Sequence, residues 1–452
     1  MTMLMFSWTK GMSPASLFLL VLMKDIGRAV GWLPQQGPLK APVCWINHPC
    51  LCGASPVQAA SSCRRSPLSS PVSKGWWGRR GLLPLAASST SSTPTMVVVR
   101  KARNNARRKE NVAGNLFVDE SCINCDTCRW MQGDVFVHEG GKSAVARQPE
   151  TEEEKRSAYR AMIACPTASI RLETADPVAR DAVRDFPFPV DSERLPGVFH
   201  LGFHDENSFG CSPWLVQRQE GNLMMDSPRF HPALAKALDD KGGVSLMVMS
   251  HIDDVGDHQR WKERFPEMKR VMHKADIQSY GDTRNVEVKL DGDSADGQIG
   301  GFDFWDLGEG LRAVHTPGHS KGSITLLYSN KISSSRGGGD SDGNERELEN
   351  EHEPSARGEE EEAAEAEAEE DETVAFTGDH LALSGYTGAL TGFPRYGYDL
   401  EMQSTSLELL ARPDVKFRWV LPGHGRMTRF DSHQDRTSQI MAAAAKTKAG
   451  RT

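Results

Sequence analysis

Acidic residues are almost missing from the first hundred positions. Asp25 stands alone there, among many Ser, Ala, Pro and Arg. A stretch such as ASSCRRSPLSSPVSKGWWGRRGLLPL cannot bury a core, and its acid-poor, Ser/Arg-rich composition is that of an organelle transit peptide. Long apolar runs are missing as well. SLFLLVLM (16–23) is far shorter than the roughly 20 residues of a membrane span. It suits the h-region of a signal ahead of a transit peptide, as in a bipartite plastid leader. Residues 1–95 are therefore expected to be a disordered leader to the plastid (chloroplast) stroma, with the mitochondrion as second choice. A start at Met96 is the alternative to a leader. No membrane partner is expected.

Large apolar residues also thin out over 331–373, where 17 Asp/Glu face 4 Lys/Arg, a net of -13. The whole chain carries -8, so the remainder is near +5 (-8 minus -13). The segment reads as a disordered acidic insertion between two strands. The mild positive charge of the rest, with its basic run confined to a lead-in (96–112), gives no nucleic-acid footprint.

Paired Cys-x-x-Cys knuckles, the usual mark of a structural zinc site, are absent. What is present is SCINCDTCRW, with Cys122, Cys125 and Cys128, followed by ACPTASI, with Cys165 before Pro166. Three thiolates at this spacing can wrap one face of a cuboidal cluster, and the Cys-Pro pair supplies the fourth where Pro166 ends a helix. Between them lie strand-like DVFVHEGGKSAVA and helix-like EEEKRSAYRAMIA. The compact region 113–175 resembles a single-cluster [4Fe–4S] ferredoxin domain. Cys44, Cys50, Cys52 and Cys63 fall in the leader, and Cys211 reads as a buried structural thiol. Residues 176–196, DPVARDAVRDFPFPVDSERLP, are punctuated by Pro and read as a linker.

Beyond the linker, short apolar strands alternate with helices, an α/β layered pattern. Four of these strands end in ligand-type residues. VSLMVMSHIDDVGDH holds His251, Asp253, Asp257 and His258. AVHTPGHSKGS holds His319 in a Gly/Pro turn. VAFTGDHLA holds Asp379, and WVLPGHGR holds His424. Strand ends deliver such side chains to a site without disturbing the core. His380 and His315, which flank two of these positions, suit supporting roles.

The order and wording of these segments resemble the metallo-β-lactamase superfamily, especially its glyoxalase II-like branch, over 197–430. The resemblance implies an αββα sandwich preceded by the small α+β ferredoxin-like domain, with 431–452 left as a C-terminal tail. It also implies one or two divalent metals (zinc, iron or manganese). One would sit on His251, His319 and Asp379, and another on Asp257, His258, Asp379 and His424, with Asp379 bridging and a hydroxide between the ions as nucleophile. Asp257 and Asp379 are the catalytic candidates.

The family's second His is missing: Asp253 stands there, and two extra residues precede Asp257. Either Asp253 replaces the imidazole with a harder ligand, or Asp254 is the ligand, or only one metal binds tightly. Flavodiiron proteins are also similar at His251-x-Asp253, but no flavodoxin-like domain is present. The whole chain resembles a bacterial and plastid group that joins a small ferredoxin to a glyoxalase II-like domain. The expected function is hydrolysis of a small ester or thioester, with a small-molecule substrate. The alternatives are a redox enzyme whose non-haem iron site is fed by the cluster, with an electron-transfer partner, and a non-catalytic electron-transfer or sensing protein.

Overall fold

The computed structural model describes residues 105–279, 281–308, 310–329 and 373–450. The leader, the first part of the lead-in and the acidic insertion up to 372 lie outside the described residues. Among the described residues, no helix is long and apolar enough to cross a membrane.

The ferredoxin-like region is built on two small antiparallel pairs. Leu116–Val118 pairs with Ile170–Leu172, and Phe136–Glu139 pairs with Lys142–Val145. The second is the hairpin expected from DVFVHEGGKSAVA. Helix Glu152–Ala164 starts at a capping box, in which Thr151 Oγ1 accepts from the Glu154 amide and the Glu154 carboxylate accepts from the Thr151 amide. It ends one residue before Cys165. Leu116, Phe136, Val145, Tyr159 and Ile170 close a core of their own.

The stretch read as a linker is structured. Asp176 caps the helix Pro177–Ala182. Phe186 is buried, and Phe188–Pro189 pairs with Val198–His200 as the edge strand of a larger sheet. That sheet has seven strands, in the order 288–290, 269–273, 246–248, 223–225, 214–216, 198–200 and 188–189. A second seven-stranded sheet runs 297–299, 302–308, 311–315, 324–329, 373–378, 419–422 and 428–429.

The two sheets stack because their strands alternate. Leu223 and Met225 face Ile324, Leu326, Phe376 and Leu421 in a shared core, while Met224 points to the outer layer with Leu234, Leu238 and Trp261. On the far side, Val314, Ala375 and Val420 meet Leu407, Leu410, Ile440 and Ala444. The result is helix, sheet, sheet, helix, which is the expected αββα sandwich.

Two boundaries move. Thr373, assigned to the insertion, is the first residue of a strand and pairs with Ser329, so the insertion joins neighbouring strands of one sheet. The expected tail is a helix, His433–Lys448, capped by Ser432. It packs on helix Leu400–Leu410, and the Ser404 hydroxyl donates to the Ala444 carbonyl at 3.0 Å.

Candidate metal centre and cluster site

The strand Leu246–Val248 ends at a loop whose amides are gripped on both sides of His251. Asp226 Oδ1 accepts from the Ser250 amide at 2.7 Å, and Asp276 Oδ2 accepts from the Ile252 amide at 3.0 Å. Asp276 also accepts from the Gly322 amide at 2.7 Å and from the Ser320 hydroxyl. One carboxylate thus ties the His251 loop to the His319 loop. Neither Asp226 nor Asp276 was singled out from the sequence. Both follow apolar strands, in MMDSP and MHKAD, which is the signal that found the other four segments.

His251, Asp254, His319, Asp379 and His424 come together at the rim where the sheets meet. His251 Nε2 stands 3.9 Å from Asp379 Oδ2, and His319 Nε2 stands 3.7 Å from the same oxygen. The His424 Nδ1–H donates to Asp379 Oδ1 at 2.7 Å. Asp254 Oδ2 lies 3.6 Å from His251 Nδ1, which shares a 3.0 Å hydrogen bond with the Ser250 hydroxyl. Asp253 Oδ2 is 3.9 Å from His251 Nε2, on a side chain that is half exposed. Gly378 is required at a positive φ of 51°, because a Cβ there would strike the Ser250 side chain at 2.6 Å.

The donors fit metal ions. His251 Nε2, both Asp254 oxygens and His424 Nε2 are buried without a hydrogen-bond partner. Buried charged groups are normally paired or bound to metals, and none of these four atoms makes a hydrogen bond. The charges here pull in opposite directions. Burial resists ionisation of Asp379, but His424, His251 and His319 hold its carboxyl well below the usual range. Burial likewise opposes charge on His424, yet Asp379 raises it to about 10. His251 is pushed down to about 3 by burial and stays neutral, as a ligand must, whereas His424 has to give up a proton when its Nε2 takes a metal.

The structure does not bring Asp257 and His258 into this group. Asp257 Oδ2 accepts from the Phe230 amide at 2.8 Å and from Arg260 at 3.2 Å, and the residue is the N-cap of helix His258–Arg264. His258 Nδ1 sits 3.1 Å from the Arg270 guanidinium, and burial followed by that cation pushes the imidazole down to about 4. The two extra residues explain the shift. They let the chain turn Asp254 into the rim and leave Asp257 as the cap of the helix that follows. Asp254 therefore occupies the place expected of Asp257.

The four cysteines Cys122, Cys125, Cys128 and Cys165 line one cavity with Thr127, Ser143 and Thr167. All four are free thiols. Burial, and then the neighbouring Cys165 sulfur, pushes the Cys125 thiol up to about 12, and burial and then Cys125 raise Cys128 well above its ordinary value. Thiols crowded in this way ionise together only around a compensating cation, and this donor set fits an iron–sulfur cluster.

The cluster loop is not a free appendage. The Asp126 carboxylate accepts from Arg426 Nε at 2.9 Å, two residues after His424. Thr127 Oγ1 lies 3.2 Å from His204 Nδ1, and Trp130 meets the His200 ring edge-on. A Cβ on Gly210 would fall 3.0 Å from both Cys125 Cβ and Pro166 Cγ, so only a glycine lets this backbone lie against the cluster ligands.

Residues 118–172 match the family described as the 4Fe-4S single cluster domain of ferredoxin I. Among solved structures, the chain is similar to a metallo-β-lactamase from Pseudomonas aeruginosa in its mono-zinc form. The identity is 14%, covering 53% of this chain and 84% of that one, with a TM-score of 0.31. A metallo-β-lactamase from Cronobacter sakazakii, a HARLDQ-motif mutant, gives 15%, 58%, 93% and 0.32. A quorum-quenching N-acyl homoserine lactone lactonase gives 13%, 48%, 79% and 0.30. Comparison with curated proteins finds no match. The layer order and the strand-end residues are features of this chain itself. They make it an αββα sandwich that carries, over residues 118–172, a match to the single-cluster 4Fe-4S ferredoxin domain.

Proposed function

We propose that the sandwich is a metal-dependent hydrolase acting on a small ester or thioester. The observation that carries this reading is the convergence of His251, Asp254, His319, Asp379 and His424, with buried donor atoms that nothing in the protein satisfies. One or two divalent cations held there would supply Lewis acidity and ionise water near neutral pH. The chain's own residues prepare the site for this. Ser250 fixes the His251 ring so that Nε2 points inward. His424 keeps Asp379 ionised. Asp276 holds the His251 and His319 loops at a fixed separation. Tyr396 and Tyr398 are exposed, and the Tyr398 amide donates to the His319 carbonyl, so their rings offer a surface for an apolar acyl or leaving group.

The test is turnover of simple thioesters and esters by the zinc-loaded protein. Loss on chelation and in Asp379→Ala, with Cys122→Ser retaining turnover, supports the hydrolase. Failure to turn over any such substrate, with two metals bound, refutes it.

One observation favours a second reading, a redox enzyme with an iron-loaded rim and an external electron donor. The cluster ligand Cys125 touches Gly210, and the loop that follows runs directly to the rim. In that case activity would require iron at the rim and would disappear in Cys122→Ser. Plastid targeting by residues 1–95 is part of the proposal, and a fluorescent fusion of that segment tests it.

A further inference from the structure

Cys211 has no part in the reading above, yet it lies at the point where the rim's donors meet. It is buried, and its Sγ forms a group with Asp226 and Asp254 in which one ligand atom from each lies within 4.8 Å of the others. The Cys211 Sγ to Asp226 Oδ2 separation is 3.8 Å. Asp254 belongs equally to the group with His251 and Asp379.

Gly423, immediately before His424, locates the centre of this arrangement. A Cβ there would fall 2.7 Å from Asp254 Oδ2, 3.0 Å from Asp379 Oδ1 and 3.1 Å from Cys211 Sγ. Two carboxylates and a thiol therefore close around one spot that must be left without a side chain. The backbone on either side is fixed: the Ser212 amide donates to the Gly423 carbonyl at 2.6 Å, and the Gly423 amide donates to the Gly378 carbonyl at 2.8 Å. Both Asp254 oxygens are completely buried and lack a hydrogen-bond partner, so they call for a cation beside the sulfur.

We propose that Cys211 is a thiolate ligand of the second cation, completing with Asp254, Asp379 and His424 the set from which Asp257 and His258 are missing. This rests on the reading of the rim as a metal centre and deepens it. On binding, the thiol proton passes to solvent and the sulfur–metal bond replaces it, with no change of oxidation state. A soft donor among hard ones favours zinc or ferrous iron over manganese at this position. It also makes one peptide unit, Gly210–Cys211, the junction between the cluster ligand Cys125 and the second cation.

The test is zinc-edge X-ray absorption on the full chain, with the iron–sulfur cluster intact and its iron and sulfide counted first. Iron fills the cluster, so the zinc edge sees the rim alone. The expected result is a sulfur shell at about 2.3 Å beside the nitrogen and oxygen shell near 2.0–2.1 Å. That shell is lost in Cys211→Ser, while Cys122 and its partners are untouched. Two zincs per chain with only nitrogen and oxygen neighbours in the wild-type protein would overturn the thiolate ligand and leave the metal centre standing. A sulfur shell that survives in Cys211→Ser would also overturn it. No zinc, and no iron beyond that counted in the cluster, would overturn both readings. The wild-type spectrum decides the matter even if Cys211→Ser fails to fold.

Discussion

At the scale of single residues, the rim separates side chains that converge from side chains that merely lie close in sequence. Asp254→Asn is expected to remove one metal equivalent, because a buried carboxylate with two unpaired oxygens becomes a neutral amide. Asp257→Asn is expected to keep full metal content. It weakens contacts with the Phe230 amide and Arg260 and costs about 1 kcal/mol of stability. Metal analysis together with thermal melting distinguishes the two. Asp276→Ala unties both metal-bearing loops without touching a ligand atom. It is expected to weaken metal binding about 10- to 100-fold, as measured by competition with a chelator. His251, His319, Asp379 and His424, which the structure brings together, were legible because each follows an apolar strand in a distinctive phrase. The structure sets Asp257 and His258 apart from these four, because spacing alone does not show which way a loop turns its side chains.

At the scale of elements, strands were easy to read where alternation or a continuous apolar run was strong, as in SLMVM and ITLLY. The final helix was missed for a physical reason. Its buried face is made of Arg436, Ile440, Ala443, Ala444 and Thr447, and polar and small residues around one isoleucine leave little hydrophobic signal. Ile440→Ala is nevertheless expected to destabilise the protein by about 2–5 kcal/mol in a denaturant titration, since that side chain is wholly buried against Leu407 and Leu410. The linker was misread because Pro suggests a connector, whereas here Pro189 sits on an edge strand, where its missing amide costs nothing.

Strand Lys269–His273 carries a pH-dependent tie. The Glu287 carboxylate accepts from Arg270 Nε at 3.0 Å and from Nη2 at 2.9 Å. Burial works against ionisation, but the Arg270 bonds and charge win and lower Glu287 to about 2. A folded-state value below the unfolded one, about 4.3, contributes stability that is fully present above the unfolded value. That contribution is lost as pH falls toward about 2. Glu287→Gln should therefore be less stable than wild type at neutral pH, and the difference should shrink through acid titration. Equal differences at pH 7 and in strong acid would contradict this tie.

At the scale of the whole molecule, the cysteine loop and the rim segments lie in direct contact. Gly210 lies against Cys125, and Asp126 pairs with Arg426 beside His424. Asp126 also accepts from Arg129 at 2.6 Å, so Asp126→Lys crowds three cations at this junction. It is expected to lower the melting temperature and to loosen the His424 loop, so that metal affinity falls while the four cysteines remain. Sequence could show both modules, because each has its own spaced ligands. It could not show their junction, which depends on a glycine and an ion pair 300 positions apart in the chain.

The central claim is that residues scattered from 251 to 424 hold divalent cations beside a four-cysteine cluster. Anomalous X-ray diffraction from crystals of the metal-loaded protein, recorded at the iron and zinc edges, tests it directly. The account predicts iron peaks among Cys122, Cys125, Cys128 and Cys165, and cation peaks within bonding distance of His251, His319, Asp379 and His424. A rim with no anomalous peak, or a cation bound instead by Asp257 and His258, would contradict it.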